Sequence, residues 1–378
     1  MPEQLDDRAL NRALLARQFL LERTRRPLVE VVEAIGAMQG QAWGALPVGL
    51  WSRMASFAPD DLYQALERGD LRWGIGIRGT LHLVSTDEHP VYAVVSEAGW
   101  TGSWHRAIEE TTPGMYALRF ALLDHCASPR TNEELRAFAE AWIADHPGEI
   151  DPRELDAQRA LSWRPIYRWS ALTRVPGGGA WGAKAPADHL AAPVPPGSDG
   201  APRLEVALEA LALRHLGAFG PAAAEDVATW VGWRTPPVRE LLEANLRLER
   251  LEDAHGRTLY DLPGAPRPDA HTPAPPRYLG AFDSSLLAYA SKRRERIVPE
   301  ALRDVVYERK NLQVKPAFLV DGRVAGIWSS EVKRNQATLT LQPAVKLTKA
   351  DREGVAAEGD GLLRALFPTA MAYRVEGC

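Results

Sequence analysis

The chain has 378 residues, of which 46% are hydrophobic and 25% are charged, and it contains twelve tryptophans. This composition excludes a largely disordered chain and predicts a folded protein of two to four compact units. The net charge of -4 excludes a uniformly basic surface, although a local basic cluster can still bind nucleic acid.

Neither membrane insertion nor structural metal binding is expected. The sequence has no run of about eighteen apolar residues, and its N-terminal segment lacks the apolar core of a signal peptide. The two cysteines, Cys126 and Cys378, lack the paired spacing of a disulfide framework or a zinc site. We therefore expect a cytoplasmic protein with no membrane segment and no metal.

A pattern of two or three amphipathic helices followed by a short extended stretch occurs three times along the chain. In the first occurrence, the spacing of apolar residues predicts helices over residues 10–22, 28–38 and 59–67. Residues 71–84 follow as a predicted hairpin. We interpret these elements as a first structural unit.

The second occurrence begins with a predicted helix over residues 116–126. Thr131, with Glu134 three residues later, predicts a capping box that opens a further helix. A third helix is predicted over residues 153–172, and the glycine-rich segment 174–179 predicts a loop.

In the third occurrence, helices are predicted over residues 204–216, 222–231 and 236–248, with Thr235 as the N-cap of the last one. Residues 251–260 then predict a strand, a tight turn and a strand. Helix, helix, helix and hairpin is the order of a winged-helix domain. A plain helical bundle with added hairpins is the alternative that this pattern leaves open.

The C-terminal part of the sequence has a β-rich character. Strands are predicted over residues 315–320 and 323–328 around an Asp-Gly turn, and over residues 337–341. A helix over residues 348–366 follows. Because proline-rich segments interrupt the elements on both sides of the third unit, we expect linkers there. The predicted domains are residues 1–112, 113–198, 199–270 and 271–378.

Gln39, Gly40 and Gln41 follow directly on a predicted helix. On extended backbone, residues two apart share one side, whereas on a helix they point to nearly opposite sides. The glycine at the centre, with Gly44 and Pro47 beyond it, favours extended backbone. The two amides are therefore expected to converge on one place. The alternative is that both glutamines cap the preceding helix or face water.

The segment that contains the glutamine pair, residues 34–47, resembles the Gln-x-Gln signature of the winged-helix DNA glycosylases typified by AlkZ and YcaQ. Further similar motifs occur in the family's order at residues 78–84, 220–230, 282–287 and 320–328. Each motif is weak alone, but together they extend over almost the whole sequence. The chain therefore resembles this family over almost its whole length.

The resemblance implies a monomeric α+β protein with three tandem winged-helix motifs and a small C-terminal β-barrel-like domain, C-shaped around damaged double-stranded DNA. It also implies excision of N7-alkylated purines and, in some members, unhooking of interstrand crosslinks, without metal or cofactor. Carried over by position, the catalytic residues are Gln39 and Gln41. Gly40 departs from the family pattern, because an aliphatic residue usually stands there.

DNA contacts are expected at three places. Arg78 and His82 lie in the first predicted wing, although His82 facing inward and Arg78 as a solvated turn charge is an equal alternative. The basic run after residue 291 suits backbone phosphates, while a solvated surface loop is its ordinary explanation. The predicted DNA-binding residues are Arg78, His82, Lys292, Arg293, Arg294, Arg296, Lys310 and Asn311.

Two further positions qualify these expectations. Most of the tryptophans are expected in the core, but Trp43 lies beside the glutamine pair and is a candidate for contact with the lesion. Leu312 stands after Asn311, where the resembling family usually has glycine. The geometry of that turn is therefore an open question.

Two other classes of function stay open on the sequence. One is a non-catalytic winged-helix regulator, which would read base edges and typically dimerise on paired half-sites. Nothing in the sequence suggests a dedicated dimerisation helix. The other is a winged-helix array that binds proteins, which the acidic net charge favours.

Overall fold

The computed structural model describes residues 3–104, 113–163 and 169–377. The chain folds into two compact units. Unit 1 combines Met1–Ala65 with Ala212–Cys378, and unit 2 is formed by Leu66–Leu211. Unit 2 is thus a continuous segment, whereas unit 1 is assembled from two segments that are far apart in the sequence.

The first segment of unit 1 is mainly helical. It contains β1 (Gln4–Leu5), α1 (Asp7–Arg17), α2 (Leu28–Ala34), β2 (Met38–Gln39), α3 (Ala45–Arg53) and α4 (Pro59–Arg68), the last of which leads into unit 2. Asp6 opens α1, because its side chain accepts a hydrogen bond from the backbone N–H of Ala9. The first two helices end earlier than the sequence predicted, and α3 was not predicted.

Unit 2 contains both helices and strands, namely β3 (Leu71–Ile75), β4 (Leu81–Ser85), α5 (His89–Trp104), α6 (Pro113–His125), α7 (Asn132–Asp145), α8 (Pro152–Ala160), β5 (Leu172–Val175) and β6 (Asp188–Ala191). Within this unit the strand order is β4, β3, β5, β6, with antiparallel neighbours. The predicted hairpin and the Thr131 capping box are confirmed. The predicted helix over residues 153–172 is too long: α8 ends at Ala160, residues 164–168 lie outside the described residues, and Leu172 begins a strand.

The segment that follows has the predicted order of three helices and a hairpin. It contains α9 (Leu204–Phe219), α10 (Ala224–Val231), α11 (Thr235–Ala244), β7 (Glu249–Asp253) and β8 (Thr258–Asp261). β7 and β8 are antiparallel, and β1 pairs with β7 in parallel. The prediction that Thr235 is an N-cap is wrong, because Thr235 is the first helical residue and Arg234 precedes it without a side-chain cap.

The remainder of unit 1 is β-rich. It contains β9 (Arg277–Leu279), α12 (Ser284–Leu287), α13 (Arg303–Val306), β10 (Tyr307–Glu308), β11 (Gln313–Val314), β12 (Ala317–Val320), β13 (Arg323–Lys333), β14 (Gln336–Pro343), α14 (Lys349–Leu366) and β15 (Ala372–Glu376). A 3-10 helix, Ser291–Arg296, follows α12. The predicted hairpin is confirmed as β12 and β13, and the late helix is confirmed as α14.

The described C-terminal strands form an open sheet and not the expected barrel. Its order is β15, β14, β13, β12, β9, so β15 and β9 are separate edges. Helix α14 covers one face, where Val355, Leu362 and Leu363 join a core with Tyr278 and Phe318. Because the helix buries this face, the strands do not need to close on themselves.

The residues that the structure describes include neither a membrane-spanning helix nor a cluster of metal ligands. No helix among residues 3–104, 113–163 and 169–377 is long and apolar enough to cross a bilayer. Within the same ranges, no three His, Cys, Asp or Glu side chains are grouped so that they could hold a metal ion.

Candidate active site

A tight reversal of the chain precedes the glutamine pair. After α2 ends at Ala34, Gly36 and Ala37 both have positive φ, 77° and 65°. Glycine is needed at position 36, since a Cβ there would come within 3.0 Å of the Ala218 and Phe219 side chains. The reversal ends the helix and starts β2, so Gln39 lies on extended backbone as the sequence predicted.

The side chains of Gln39 and Gln41 face each other. Gln39 Nε2 donates a hydrogen bond of 2.5 Å to Gln41 Oε1. Gln39 is buried, with 7% of its surface exposed, whereas Gln41 is exposed to solvent. The pair therefore presents one accessible amide that is held from behind by a buried one.

The second segment of unit 1 holds the backbone of β2. Gln39 N donates to Ser284 Oγ at 3.4 Å, and Ser284 Oγ donates to the carbonyl oxygen of Ala37 at 3.2 Å. Ser284 is the first residue of α12, and Asp283 caps this helix by accepting from Ser285 N at 3.0 Å. The position of the glutamine pair therefore depends on a residue 245 positions further along the chain.

A buried polar network lies next to this contact. Both terminal nitrogens of Arg53 bind the Asp283 carboxylate, at 2.8 and 2.9 Å. Arg53 also donates to Gln18 Oε1 at 3.1 Å, while Gln18 Nε2 donates to the carbonyl oxygens of Ile35 and Ala218 at 3.1 and 2.9 Å. The network thereby connects the C-terminal ends of α1, α2 and α9 with α3 and α12.

The interior behind the pair has little free space. A cavity of about 10 Å³, bordered by Gln18, Gln39, Arg53, Asp283 and Ser284, has room for about one water molecule. Ordinary ligand pockets have volumes of about 300 to 1,000 Å³. A nucleotide therefore cannot enter behind Gln39 and has to approach the pair from the exposed side, at Gln41.

Trp43 is packed, with 6% of its surface exposed. Its ring stacks on Tyr63 of α4 with a centroid distance of 6.2 Å and an interplanar angle of 17°. Contact between Trp43 and an unpaired base would require the ring to leave this packing.

Arg78 and His82 lie in unit 2. Arg78 is half-buried in the turn between β3 and β4, with a positive φ of 58°. His82 is buried on β4, and its Nδ1 donates to the carbonyl oxygen of Thr80 at 2.9 Å. Burial, helped by repulsion from Arg78, lowers the pKa of His82 to about 3. The ring is therefore neutral near pH 7, and the inward-facing alternative describes its position.

The basic run after residue 291 is only partly available to a ligand. Arg296 is buried, with its guanidinium 4.1 Å from the centroid of the Tyr289 ring. Arg293 pairs with Glu225 at 3.1 Å. Arg294 donates to the carbonyl oxygen of Tyr289 at 3.1 Å. Lys292 is exposed and has no ion-pair partner within the described part of the chain.

Lys310 and Asn311 lie in the turn of a short hairpin made by β10 and β11, and both are exposed. Leu312 completes the turn with a positive φ of 56°, and 81% of its surface is exposed. The chain therefore keeps the left-handed conformation that glycine adopts easily, although leucine occupies the position.

Sequence reasoning did not assign roles to Gln18, Arg53 or Ser284. Asp283 was noticed only as part of a motif that resembles the glycosylase family. No spacing rule links Gln18, Arg53 and the Asp283–Ser284 pair, because they lie in or directly next to three different helices and meet only in the folded chain. The one available signal was a charged residue, Arg53, directly after the apolar run of residues 45–51 and Ser52.

The sequence is similar to those of known proteins. A family model described as DNA glycosylase AlkZ-like matches residues 32–365. A protein of Streptomyces sahachiroi named interstrand DNA cross-link repair glycosylase is 27% identical over 346 residues, covering 83% of this chain and 85% of that protein.

The solved structure of the Streptomyces sahachiroi DNA glycosylase AlkZ has a TM-score of 0.74 to this chain at 21% identity. The match covers 99% of this chain and 100% of that chain. This similarity shows that the two proteins share a fold. Since the family model extends over most of the sequence, the chain belongs to the AlkZ-like DNA glycosylase family.

Proposed function

We propose that the protein is a monofunctional DNA glycosylase that hydrolyses the N-glycosidic bond of cationic N7-alkylated purines in damaged double-stranded DNA. The observation that carries the proposal is the pairing of Gln39 and Gln41, one amide buried and the other accessible. Family membership supports the reaction class. The name of the Streptomyces relative supports unhooking of interstrand crosslinks as a further activity.

Neutral amides suit this reaction. An N7-alkylated purine already carries positive charge, so it leaves without strong protonation, and the sugar passes through an oxocarbenium-like state. The enzyme then has to hold the attacking water and offset the positive charge that develops on the sugar. Glutamine carbonyl oxygens accept a hydrogen bond from the water and direct the negative end of a dipole toward the sugar. Uncharged or oxidised bases should be poor substrates, because an amide is not an acid.

The two glutamines have different roles in this proposal. Gln41 is the exposed member, so its carbonyl oxygen is the group that contacts the water and the sugar. One lone pair of this oxygen accepts from Gln39 Nε2, which leaves the other for the water. Gln39, whose backbone is bound to Ser284, fixes the direction of the Gln41 side chain.

We further propose that the protein binds DNA through winged-helix units. The helix, helix, helix and hairpin order of residues 204–261 supports winged-helix units as the DNA-binding modules. We propose that the protein acts as a monomer in the cytoplasm. Arg78, Lys292, Arg293, Arg294, Lys310 and Asn311 stay predicted DNA contacts, and any contact by the buried His82 would use a neutral ring.

The test is release of 7-methylguanine from an alkylated duplex under single-turnover conditions. We expect Gln41→Ala, Gln39→Ala and the double variant each to slow release by about 100-fold or more, the usual effect of losing a group that activates water. The double variant should be little slower than Gln41→Ala, because the two amides act as one unit.

The matched control is Gln342→Ala, which removes an exposed glutamine of β14 in the same unit. It should release the base at the wild-type rate. Wild-type protein that binds alkylated DNA without releasing the base would refute the glycosylase proposal and favour a non-catalytic DNA-binding protein.

A further inference from the structure

A second pocket in unit 1 differs in kind from the small cavity behind the glutamines. It lies between the segment that follows α12 and the hairpin of β10 and β11, and its volume is about 670 Å³. This is within the range of pockets that bind small organic groups. Leu287, Tyr307 and Val314 give it an apolar floor.

The aromatic wall of this pocket is fixed in place. Tyr307 Oη donates to the carbonyl oxygen of Leu286 at 2.6 Å. The Arg294 guanidinium lies 4.8 Å from the centroid of the Tyr307 ring and is held in turn by the carbonyl oxygen of Tyr289. A tyrosine ring and an arginine plane are the two side-chain surfaces on which unpaired bases commonly stack.

The rim of the pocket favours an anion. Four basic side chains line it, Lys292, Arg294, Arg303 and Arg309, against two carboxylates, Asp304 and Glu308. Arg303 forms an ion pair with Glu300 and donates to the carbonyl oxygen of Ser291, and Arg309 pairs with Asp304 at 3.4 Å. Lys292 is the exposed cation that makes no ion pair with a described residue, so it is the group that can take a phosphate.

Leu312 places an apolar side chain at the mouth of this pocket. It lines the pocket, it is 81% exposed, and its φ of 56° is a conformation that leucine rarely adopts. A leucine held in the left-handed conformation is a pointer to a binding role, because this backbone strain does not stabilise the free protein. Apolar side chains of this kind insert between base steps in several DNA-binding proteins.

The pocket is close to the glutamine pair. Ser284 at the start of α12 contacts the backbone of Gln39, and Leu287 at the end of the same helix lines the pocket. Three residues of helix span about 5 Å. The glutamine pair and the pocket therefore adjoin opposite ends of the same short helix, α12.

We propose that this pocket binds one unpaired nucleotide of the DNA substrate. Its base stacks between Leu312 and the wall of Tyr307 and Arg294, and its phosphate lies against Lys292. The inference rests on the proposed function only in taking DNA as the ligand, and no step of the excision chemistry is needed for it. A pocket of this kind gives the protein a preference for DNA that contains an unpaired nucleotide.

The experiment compares binding of two undamaged duplexes by fluorescence anisotropy. One is fully paired, and the other is identical except for one extra, unpaired adenine. We expect wild-type protein to bind the bulged duplex about 10-fold more tightly, which corresponds to one base stacked on an aromatic wall. Leu312→Ala and Lys292→Ala should each reduce this ratio toward one. Leu312→Gly should also reduce the ratio toward one. Because glycine adopts a positive φ easily, this variant removes the side chain without disturbing the turn.

Leu246→Ala and Lys346→Ala are matched controls. They remove an apolar side chain that is 92% exposed and a solvent-exposed lysine of the same unit, and neither residue lines the pocket. Both should keep the wild-type ratio. Equal binding of the two duplexes by wild type, or equal losses in Leu312→Ala and Leu246→Ala, would overturn the proposal. Base release by protein with no preference for the bulge refutes only the pocket, whereas a bulge preference without base release refutes only the glycosylase.

Discussion

Arg53 and Asp283 form an ion pair in which both side chains are almost completely buried, with 1% and 3% of their surfaces exposed. Such a pair contributes little net stability relative to apolar residues, but the loss of one partner leaves an uncompensated buried charge. Its position behind β2 means that the charge would be left beside the backbone of the glutamine pair.

Replacing Asp283 by alanine should therefore lower the free energy of unfolding of unit 1 by about 3 to 5 kcal/mol. The same change should slow base release, because α12 loses its N-cap and Ser284 no longer holds Gln39 firmly. Denaturant unfolding followed by hydrogen exchange in unit 1 measures the first effect, and single-turnover kinetics measures the second.

Asp360→Ala is the matched control, because Asp360 pairs with Arg364 on the exposed face of α14 at 2.7 Å. An exposed pair of this kind contributes less than about 1 kcal/mol. If Asp283→Ala proved no more destabilising than Asp360→Ala, the network would not be the support that the geometry indicates.

The glutamine pair was predictable from the sequence, and the residues that support it were not. Glycine at position 40 and the resemblance to the glycosylases pointed to convergence of Gln39 and Gln41, and the structure brings these side chains together. The contacts of Ser284 and Asp283 join positions more than two hundred residues apart. Local patterns carry no information on such pairs.

Helix caps show what local sequence can and cannot predict at the level of elements. Thr131 and Glu134 form a capping box in which Thr131 Oγ1 accepts from Glu134 N at 3.1 Å. Thr235 was expected to cap α11 in the same way, but it lies inside the first turn. Both threonines precede favourable helical sequences, but only Thr131 is followed three residues later by a glutamate that completes a capping box, whereas Val238 stands at that place after Thr235.

We expect Thr131→Ala to lower the free energy of unfolding of unit 2 by about 1 kcal/mol, because it removes a cap from the first turn of α7. Thr235→Ala should change stability by less than about half as much, since alanine is the better helix former and no cap is lost. Thermal unfolding of the two variants compares them directly. Equal losses would mean that Thr235 caps α11 in solution.

Elements in which apolar residues recur with a clear helix or strand period were predicted from the sequence, whereas elements without such a period were missed. The hairpin of β12 and β13 and helix α14 lie close to where the pattern placed them. Helix α3 was hidden by Pro47 and Gly49, yet Pro47 lies in the first turn, where proline costs no hydrogen bond. A barrel was expected, but the strands form an open sheet, since α14 buries one of its faces. The sequence does not specify which face the helix covers.

Unit 2 contains three buried histidines whose proton binding changes on folding, namely His82, His89 and His189. Burial, with repulsion from a nearby arginine, lowers the pKa of His82 to about 3, of His89 to about 4 and of His189 to about 3. In the unfolded chain these groups bind protons near pH 6.5. Between these values the unfolded state binds more protons, so the free energy of unfolding falls as the pH is lowered.

Unit 2 should therefore lose protection from hydrogen exchange as the pH falls from 6.5 to 5. In this range the free energy of unfolding of unit 2 falls with decreasing pH, and His89→Leu should reduce the slope of that dependence by up to about 1.4 kcal/mol per pH unit. His255→Gln, which changes an exposed histidine of unit 1, should leave it unchanged. A slope for unit 2 that is insensitive to His89→Leu would show that carboxylates dominate its acid response.

The division of unit 1 into two segments also has a consequence for biosynthesis. Unit 2 is continuous, so a nascent chain can fold it as soon as Leu211 has left the ribosome. Gln39 is translated early, but its partner Ser284 is added 245 residues later. A polypeptide terminated by a premature stop codon before position 283 should therefore contain a folded unit 2, while its glutamine pair lacks the support of Ser284.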